Sequence, residues 1–450
     1  MNEAVEKLSR AIQIPTVSYT DVSLRDESAF QQWREFIAES FPLVHKELDL
    51  YSPGALAIVF RWAGREERLL PGALLAHFDV VPPGDPDRWK YPPFSGEIAE
   101  GCVWGRGAID DKLSHISMLQ AVEELLREGV VPERTLYFCF GGDEEIGGTE
   151  GAQSIVRWLR EREESLAWVL DEGGAVTEGA LPGLRGPAAM VGLAEKGHVN
   201  IRLTARGSGG HASSPPRETA VSSLARGIRR LVRSPFPSRI TGTVHAFLSA
   251  LAPHLTGALA LLFRLRPLTN PLILAALRRN PQTRAMVETT QAVTMVSGGS
   301  AENVLPDAAS AVVNIRLLHG DSIDFALRHI REAIDDPEIS VELHGDWGNN
   351  AAIPETPVDH PLLSIIQDAL ESVLPGVPVL PYLPTGSTDS AAYSGVTRNI
   401  FRFVPMLLTA RELSLVHNVD ERIPVENVER CLGFYKRFIR NAGGKESNRE

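Results

Sequence analysis

The sequence is poor in cysteine, and this excludes a fold held together by disulfides. Only Cys102, Cys139 and Cys431 occur among 450 residues, too few for a disulfide framework. The first residues, MNEAVEKLSRAIQIPTVS, begin an amphipathic helix and contain neither an apolar leader core nor a cleavage site. We therefore expect a reduced protein in the cytoplasm.

Positive charge is also scarce. The chain has 45 Lys and Arg residues against 57 Asp and Glu residues, a formal net charge of -12. Non-specific nucleic-acid binding needs a basic surface, so we expect no nucleic-acid partner. The fractions of hydrophobic residues (43%) and charged residues (23%) are those of an ordinary globular protein.

The sequence lacks a long uninterrupted hydrophobic run. The most apolar stretch, residues 254–277, is interrupted by Arg264, Arg266, Pro267 and Pro271. No apolar run there reaches the roughly 20 residues that a membrane-spanning helix needs. We expect no transmembrane segment, and we interpret this stretch as helices with a large apolar face.

The order of strand-like and helix-like segments predicts an α/β fold. A chain of this length is expected to form two domains. In its first part, apolar strand-like runs at 72–76, 135–140 and 166–170 alternate with helical periodicity at 113–127 and 151–163. This alternation predicts a mostly parallel sheet with helices on both faces.

The pattern changes near Lys196. HVNIRLTARG alternates strictly between apolar and polar residues, as a half-exposed strand does. Helices and further strands follow, which predicts a smaller inserted α+β module. We predict a catalytic domain formed by residues 1–195 and 348–450. The inserted domain spans residues 196–347 and contains an apolar helical insert at about residues 235–289.

Acidic residues and histidines recur just after the predicted strands and in glycine-bounded turns. The clusters are His77 and Asp79; Asp110 and Asp111; Asp143, Glu144 and Glu145; Asp171 and Glu172; and His417. In open α/β sheets, ligands bind outside the carboxyl ends of the strands, so these clusters should converge on one crevice. Each pair alone is typical of a solvated surface, and the joint pattern carries the prediction.

The residue types favour a metal site. Acids that directly follow buried apolar strands are costly unless they are paired or bound to a cation. Two histidines with several carboxylates suit zinc, with cobalt or manganese as substitutes. There are more carboxylates than one metal needs, which predicts two metals that share a bridging acid.

Spacing assigns two roles. Residues two apart in an extended segment face the same side, so Asp79 can reach His77 and fix its tautomer. Glu144 and Glu145 are adjacent and cannot point the same way. One can therefore bind metal while the other takes a proton from the attacking water and passes it to the leaving amine.

Four motifs occur in this order: His-x-Asp-Val-Val-Pro, Gly-Arg-Gly-Ala-x-Asp-x-Lys, Asp-Glu-Glu-x-Gly-Gly and Asp-Glu-Gly. Over nearly the whole chain they resemble the aminoacylase/carboxypeptidase family of di-zinc metallopeptidases. VLDEGG, AEKGHVNIRL, GGHASSPP, GSTDS and the apolar insert are similar to the branch that contains carboxypeptidase S and the N-fatty-acyl-amino-acid synthase/hydrolases.

The resemblance implies a role for each matching residue. It implies two zinc ions per chain, and it makes Asp79 and Glu144 catalytic, Asp79 by orienting His77 and Glu144 as general base. The implied metal ligands are His77 and Asp171 for one zinc, Glu145 and His417 for the other, and Asp110 as the bridge. Relatives differ over which acid of Asp-Glu-Gly binds metal. We favour Asp171, and Glu172 is the alternative.

The resemblance also implies that the inserted module is a lid or dimerisation domain, which leaves a homodimer open. His211 resembles the family's transition-state histidine, which is often donated across a dimer. Asn303 and Arg316 resemble substrate contacts. Gly386 and Ser387, in GSTDS, resemble a backbone loop near the substrate carboxylate.

The function that follows is hydrolysis of small-molecule substrates, namely N-acyl amino acids or small peptides with a free terminal carboxylate. The alternatives are net synthesis of N-acyl amino acids by reversal, and dipeptidase or Gly-X carboxypeptidase activity. A zinc-dependent binding protein is the non-enzymatic alternative, and the intact Glu144 argues against it. The apolar insert is interpreted as core of the lid domain or as a dimer contact, with an acyl-chain pocket as the alternative.

Overall fold

A computed structural model describes residues 2–179, 184, 186–255, 257–266, 268–345, 349–384 and 386–444. Its strands, numbered along the chain, are β1 (Asp49–Tyr51), β2 (Ala57–Trp62), β3 (Gly72–His77), β4 (Ile98–Ala99), β5 (Cys102–Trp104), β6 (Leu136–Gly141), β7 (Trp168–Asp171), β8 (Val176–Glu178), β9 (Pro187–Gly192), β10 (Gly197–Arg206), β11 (Gly210–His211), β12 (Thr290–Gly298), β13 (Val304–Leu305), β14 (Ala308–Leu317), β15 (Ile339–Leu343), β16 (Val379–Tyr382), β17 (Ile400–Arg402), β18 (Leu407–Thr409) and β19 (Arg422–Pro424).

Along the sequence, the α-helices mostly connect one strand to the next. They are α1 (Glu3–Ile12), α2 (Glu27–Ser40), α3 (Pro42–Glu47), α4 (Lys112–Arg127), α5 (Ala152–Glu161), α6 (Ala220–Val232), α7 (Gly242–Leu251), α8 (Gly257–Arg264), α9 (Asn270–Leu277), α10 (Pro281–Ala285), α11 (Ile323–Ile334), α12 (Leu362–Glu371), α13 (Ala410–Leu413) and α14 (Val425–Ala442).

A large mixed sheet carries the clusters of acids and histidines. Its strand order is β1-β2-β6-β3-β7-β17-β9-β8-β18, and β16 pairs with β9. The central strands β6, β3, β7 and β17 are parallel to one another. Their carboxyl ends therefore meet at one edge, where His77 lies opposite Gly141 and Asp171 lies opposite Arg402. The predicted α/β fold with a mostly parallel sheet is confirmed.

Helices cover both faces of this sheet. Residues of α1, α2, α4, α12 and α14 form one buried cluster with side chains such as Phe60, Leu74 and Phe138. The neighbouring positions on the same strands, such as Val59 and Leu75, point to the other face and pack against α5. Burial on both faces explains why strands such as GALLAH are apolar throughout.

A second, antiparallel sheet has the strand order β12-β14-β10-β15. Buried and half-exposed residues alternate along β10, as its sequence pattern predicts. Helices α6 and α11 pack on one face and form a separate buried cluster. The predicted domain boundary at residue 347 lies outside the described residues.

The apolar insert packs on the large sheet. Val244, Phe247 and Leu248 of α7 form a cluster with Met190 of β9 and Leu380 of β16. Thus α7 has a core-packing role that accounts for much of its apolar character. Pro267 lies outside the described residues. Among the described residues, no helix is long and apolar enough to cross a membrane.

Candidate active site

The carboxyl edge of the large sheet assembles the site. His77 is the last residue of β3, and Asp171 is the last residue of β7. Glu144 and Glu145 begin a short 3-10 helix shortly after β6 ends at Gly141. Two loops complete the arrangement, because Asp110 lies just before α4 and His417 lies shortly before β19.

His77 is buried and held at both ring nitrogens. Its Nδ1 lies 3.1 Å from the backbone oxygen of Asp79 and 3.4 Å from a carboxylate oxygen of the same residue. Oxygen acceptors on that side favour a proton on Nδ1, which leaves the Nε2 lone pair facing Asp110. The Asp79 carboxylate also accepts the backbone N–H groups of Glu144 (3.1 Å) and Glu145 (3.2 Å). Asp79 therefore fixes both the histidine and the loop that carries the glutamates.

Two groups of potential metal ligands share Asp110. One group is His77, Asp110 and Glu172, and the other is Asp110, Glu145 and His417; within each, the ligand atoms lie within 4.8 Å of one another. Nε2 of His77 and of His417 each lie 2.9 Å from a different oxygen of Asp110. A carboxylate with one oxygen directed at each histidine is suited to bridge two cations.

The Asp-Glu-Gly segment separates its two acids. Oε1 of Glu172 lies 3.8 Å from Nε2 of His77. Asp171 is buried, and its Oδ2 accepts the backbone N–H of Ser390 at 2.8 Å. The acid that joins His77 and Asp110 in the ligand group is thus Glu172, whereas the sequence analysis favours Asp171.

The electrostatics of the site fit bound cations. The adjacent carboxylates of Asp110 and Glu145 raise the pKa of His417 to about 10. Burial and nearby carboxylates, including that of Asp110, raise the pKa of Glu172 well above its usual range. Oε1 of Glu145 is buried and accepts no hydrogen bond, although it lies 3.2 Å from Nε2 of His417. Crowded carboxylates and an unsatisfied buried oxygen are what a cation would compensate.

Glu144 differs from these ligand candidates because it belongs to neither ligand group. Glu144 lines the same cavity as Glu145 and Asp389. Burial, with the neighbouring carboxylates of Asp389 and Glu145, raises the pKa of Glu144 well above its usual range. A carboxyl group with a raised pKa is suited to exchanging protons near neutral pH.

Glu421 supports the Asp110 turn and was missed in the sequence analysis. Its buried carboxylate pairs with Nη1 of Arg106 at 2.5 Å. The same carboxylate accepts the backbone N–H groups of Gly107 (3.1 Å), Ile109 (2.9 Å) and Asp110 (3.3 Å). The signal in the sequence is an acid placed between His417 and the strand β19, which begins at Arg422.

A cavity of about 900 Å³ opens on the site. Residues from both sheets line it, and they include Lys196 and Arg316 from the smaller sheet region and Ser387 from the loop after β16. The described residues include no carboxylate within salt-bridge distance of Arg316. Two predicted substrate contacts, Arg316 and Ser387, therefore share the cavity with the metal-ligand groups.

Glu195 and Lys196, where the chain passes from the large sheet to the smaller one, are both fixed by hydrogen bonds. Glu195 is buried and accepts hydrogen bonds from the Ser387 hydroxyl group and from Nε of Arg402 (3.1 Å). Nζ of Lys196 donates to the backbone oxygens of Ala285 and Glu288, both at 2.9 Å. Glu195 thus fixes the Ser387 loop, and its role was missed in the sequence analysis.

The other predicted substrate residues lie elsewhere. His211 and Asn303 are exposed and do not line the cavity, and neither does Gly386, although it directly precedes Ser387. Nδ1 of His211 accepts the backbone N–H of Ser213 at 3.1 Å. In the neutral ring the proton is therefore on Nε2, which makes that atom a hydrogen-bond donor.

Comparisons with known proteins all point to the same family. The profile of peptidase family M20/M25/M40 matches residues 73–441. The N-fatty-acyl-amino acid synthase/hydrolase PM20D1 of Xenopus tropicalis is 36% identical over 444 residues, which are 98% of this chain and 86% of that protein. The probable carboxypeptidase S-like 2 of Dictyostelium discoideum is 34% identical over 443 residues, covering 98% and 85% of the two chains.

Solved structures give the same fold. The M20 family metallo-carboxypeptidase Sso-CP2 from Sulfolobus solfataricus superposes with a TM-score of 0.69 over 98% of this chain and 99% of that one. The identity is only 16%, so this match concerns the fold alone.

Proposed function

The chain belongs to peptidase family M20/M25/M40, and from that premise we propose a di-zinc hydrolase of N-acyl amino acids or of small peptides with a free terminal carboxylate. Family membership confirms the prediction of an enzyme of the metallopeptidase or amidohydrolase class. We further propose zinc as the metal, these compounds as the substrates, and the residue roles that follow. One observation carries it: two ligand groups share Asp110 beside Glu144 in a cavity that also contains Arg316.

The proposed ligands are His77, Asp110 and Glu172 for one metal and Asp110, Glu145 and His417 for the other. The 3.8 Å contact of Glu172 with His77, against the hydrogen bond of Asp171 to Ser390, supports Glu172 over Asp171. Bound divalent ions supply Lewis acidity to water and to the scissile carbonyl group.

The side chains of the protein supply the proton transfers and the positioning. Glu144 takes a proton from the attacking water and delivers it to the nitrogen of the leaving amine. The Arg316 guanidinium binds the carboxylate next to the scissile amide, because its planar fork matches two carboxylate oxygens. Ser387, held by Glu195, places the backbone of its loop beside that carboxylate.

His211 does not line the cavity of its own chain. We propose that a second copy of the chain brings its His211 to the site. The hydrogen bond from Ser213 supports this role, because it leaves Nε2 as a donor for the oxyanion that develops on the carbonyl oxygen. A homodimer is then the active form.

The decisive experiment compares an N-acyl amino acid with its terminal amide on zinc-loaded protein. We expect the acid to be cleaved more than about tenfold faster in kcat/KM, because the amide lacks the charge and geometry that Arg316 binds. A chelator should abolish both reactions, and zinc should restore them. Equal cleavage of acid and amide would remove Arg316 as carboxylate anchor, and chelator-resistant turnover would overturn the metal mechanism.

The acyl group is tested with acyl chains of graded length. Of the described residues, none between 235 and 289 lines the cavity, and α7 packs on the large sheet. We therefore expect kcat/KM to change little beyond a few carbons. A steep rise, approaching about 0.8 kcal/mol for each methylene, would instead support an acyl pocket in the insert.

A further inference from the structure

The proposed reaction leaves one wall of the cavity unused. This wall is the face of α5 that carries Arg157 and Arg160, which both line the cavity and are both exposed. Residues three apart on a helix project from the same side, about 5–6 Å apart at their Cβ atoms. The side chains of Arg157 and Arg160 therefore leave the helix next to each other, on the side that lines the cavity.

Among the described residues, neither guanidinium group has a carboxylate partner. Arg157 donates to the Ser154 hydroxyl group at 2.9 Å. In the part of the chain that the structure describes, no carboxylate lies within salt-bridge distance of Arg157 or Arg160. By contrast, many other surface arginines of this acidic chain are paired, as Arg437 is with Asp368 at 2.9 Å. The two unpaired charges beside a ligand cavity therefore require an explanation.

The segment at Gly395 leaves room for the guanidinium group of Arg160. A Cβ atom on Gly395 would lie 1.6 Å from Nη2 of Arg160, so a side chain there would displace the guanidinium group. Next to the arginines, the cavity is lined by the apolar side chains of Val156, Ile353 and Ala392. The wall therefore combines a short apolar surface with two cationic groups.

A carboxylate is the ligand that this wall fits. A guanidinium fork binds two carboxylate oxygens in one plane, and two such forks give more donors than one carboxylate can saturate. A neutral alkyl chain could use the apolar surface, but its far end would meet the two charges. An apolar spacer that ends in a carboxylate satisfies both parts.

We propose that Arg157 and Arg160 form a second carboxylate-binding subsite, so that the preferred substrates carry one carboxylate beside the scissile amide and another further away. This inference rests on the proposed function. The second carboxylate has two sources, namely the far end of the acyl group or the side chain of an acidic amino acid.

The test uses two matched pairs of substrates with zinc-loaded protein. N-adipoyl-alanine against N-hexanoyl-alanine tests the acyl source, and N-acetyl-glutamate against N-acetyl-glutamine tests the side-chain source. In one of the pairs we expect kcat/KM to favour the dianion about tenfold or more, as charge-assisted hydrogen bonds imply. The preference should shrink at high salt, because both arginines are exposed.

Variants then assign the preference to the wall. The double variant R157Q/R160Q should lose the preference and still cleave the monoanionic member of each pair. R162Q is the matched control, because Arg162 directly follows the same helix but stacks on Trp158 at 4.3 Å instead of lining the cavity; it should retain the preference. A wild-type enzyme that cleaves the substrates but favours neither dianion, or a double variant that keeps the preference, overturns the subsite.

Failure of the subsite is distinguishable from failure of the proposed function. Calorimetric binding of the same pairs to zinc-loaded Glu144→Gln protein measures recognition without turnover. If wild-type protein cleaves no member of either pair, the proposed function fails, yet tighter binding of a dianion that is lost in R157Q/R160Q would still support the subsite. Equal binding of both members of each pair would overturn it.

Discussion

Glu144 and Glu145 are neighbours in the sequence, yet their carboxyl groups have different surroundings. Glu145 lies 3.2 Å from His417 and belongs to a ligand group. Glu144 belongs to neither group and faces the cavity. The backbone N–H groups of both residues bind the buried Asp79, which holds the turn that separates their side chains.

Glu144→Gln should retain both metals and the fold but lose activity. The amide cannot accept a proton from water, so we expect kcat to fall by about 10²-fold or more. Metal content by elemental analysis and kcat on an N-acyl amino acid test this. Glu145→Gln is the control, and it should lose metal. Retention of more than roughly a tenth of wild-type activity in Glu144→Gln would show that another group is the base.

Asp171 and Glu172 are distinguished by a pair of amide substitutions. If Glu172 is the ligand, Glu172→Gln should weaken the binding of one of the two metals in each chain, because a neutral amide is a much weaker ligand than a carboxylate. Asp171→Asn should keep both metals, since its hydrogen bond from Ser390 needs only an oxygen acceptor. Zinc titration followed by calorimetry measures both variants. The reverse result would make Asp171 the ligand.

At the scale of the elements, the sequence predicts most segments because their periodicity is local. The helix expected at 113–127 is observed as Lys112–Arg127, and the strand expected at 72–76 as Gly72–His77. The pairing order of the strands is not a local property. In the large sheet, β6 lies between β2 and β3, and β17 follows β7, and both placements depend on contacts between segments that are far apart in the sequence.

The candidate site shows the same division. The sequence places the acids after strands, and their parallel order brings them to one edge of the sheet. It does not determine which of two adjacent acids turns toward His77, because this depends on the exact path of the chain after β7. It also could not foresee that α7 packs on β9 and β16, since an apolar helical face looks the same whatever it covers.

The turn between β5 and α4 depends on a residue more than 300 positions away. Glu421 binds Arg106 and three backbone N–H groups of the turn that carries Asp110. Glu421→Gln should lower the free energy of unfolding by about 3–5 kcal/mol, because buried Arg106 loses its charged partner. It should also weaken zinc binding. Urea unfolding and zinc titration test this.

Glu429→Gln is the control for Glu421→Gln, since Glu429 is exposed on α14. We expect a change within about 0.5 kcal/mol for this surface substitution. If Glu421→Gln unfolds at the same urea concentration as Glu429→Gln and binds zinc as tightly as the wild type, the carboxylate does not support the turn.

At the scale of the whole molecule, the separation of His211 from the cavity predicts complementation between subunits. Inactive Glu144→Gln and His211→Ala chains should regain activity when mixed, because one site of each hybrid dimer has both groups intact. With equal amounts and free exchange, half of the dimers are hybrids, which gives about a quarter of wild-type activity. The measurement is kcat after mixing, with subunit exchange followed by mass spectrometry of the intact dimers. Exchange without recovery would place His211 at the site of its own chain.

The adjacent residues Glu195 and Lys196, where the chain passes from the large sheet to the smaller one, link the two sheets mechanically. Glu195 is bound to Ser387 and Arg402 on the side of the large sheet, and Lys196 is bound to the backbone at Ala285 and Glu288, shortly before β12 of the smaller sheet. A rotation of the smaller sheet would therefore displace both side chains together, since only one peptide bond separates the two residues. We therefore expect the position of the Ser387 loop to be coupled to the angle between the sheets.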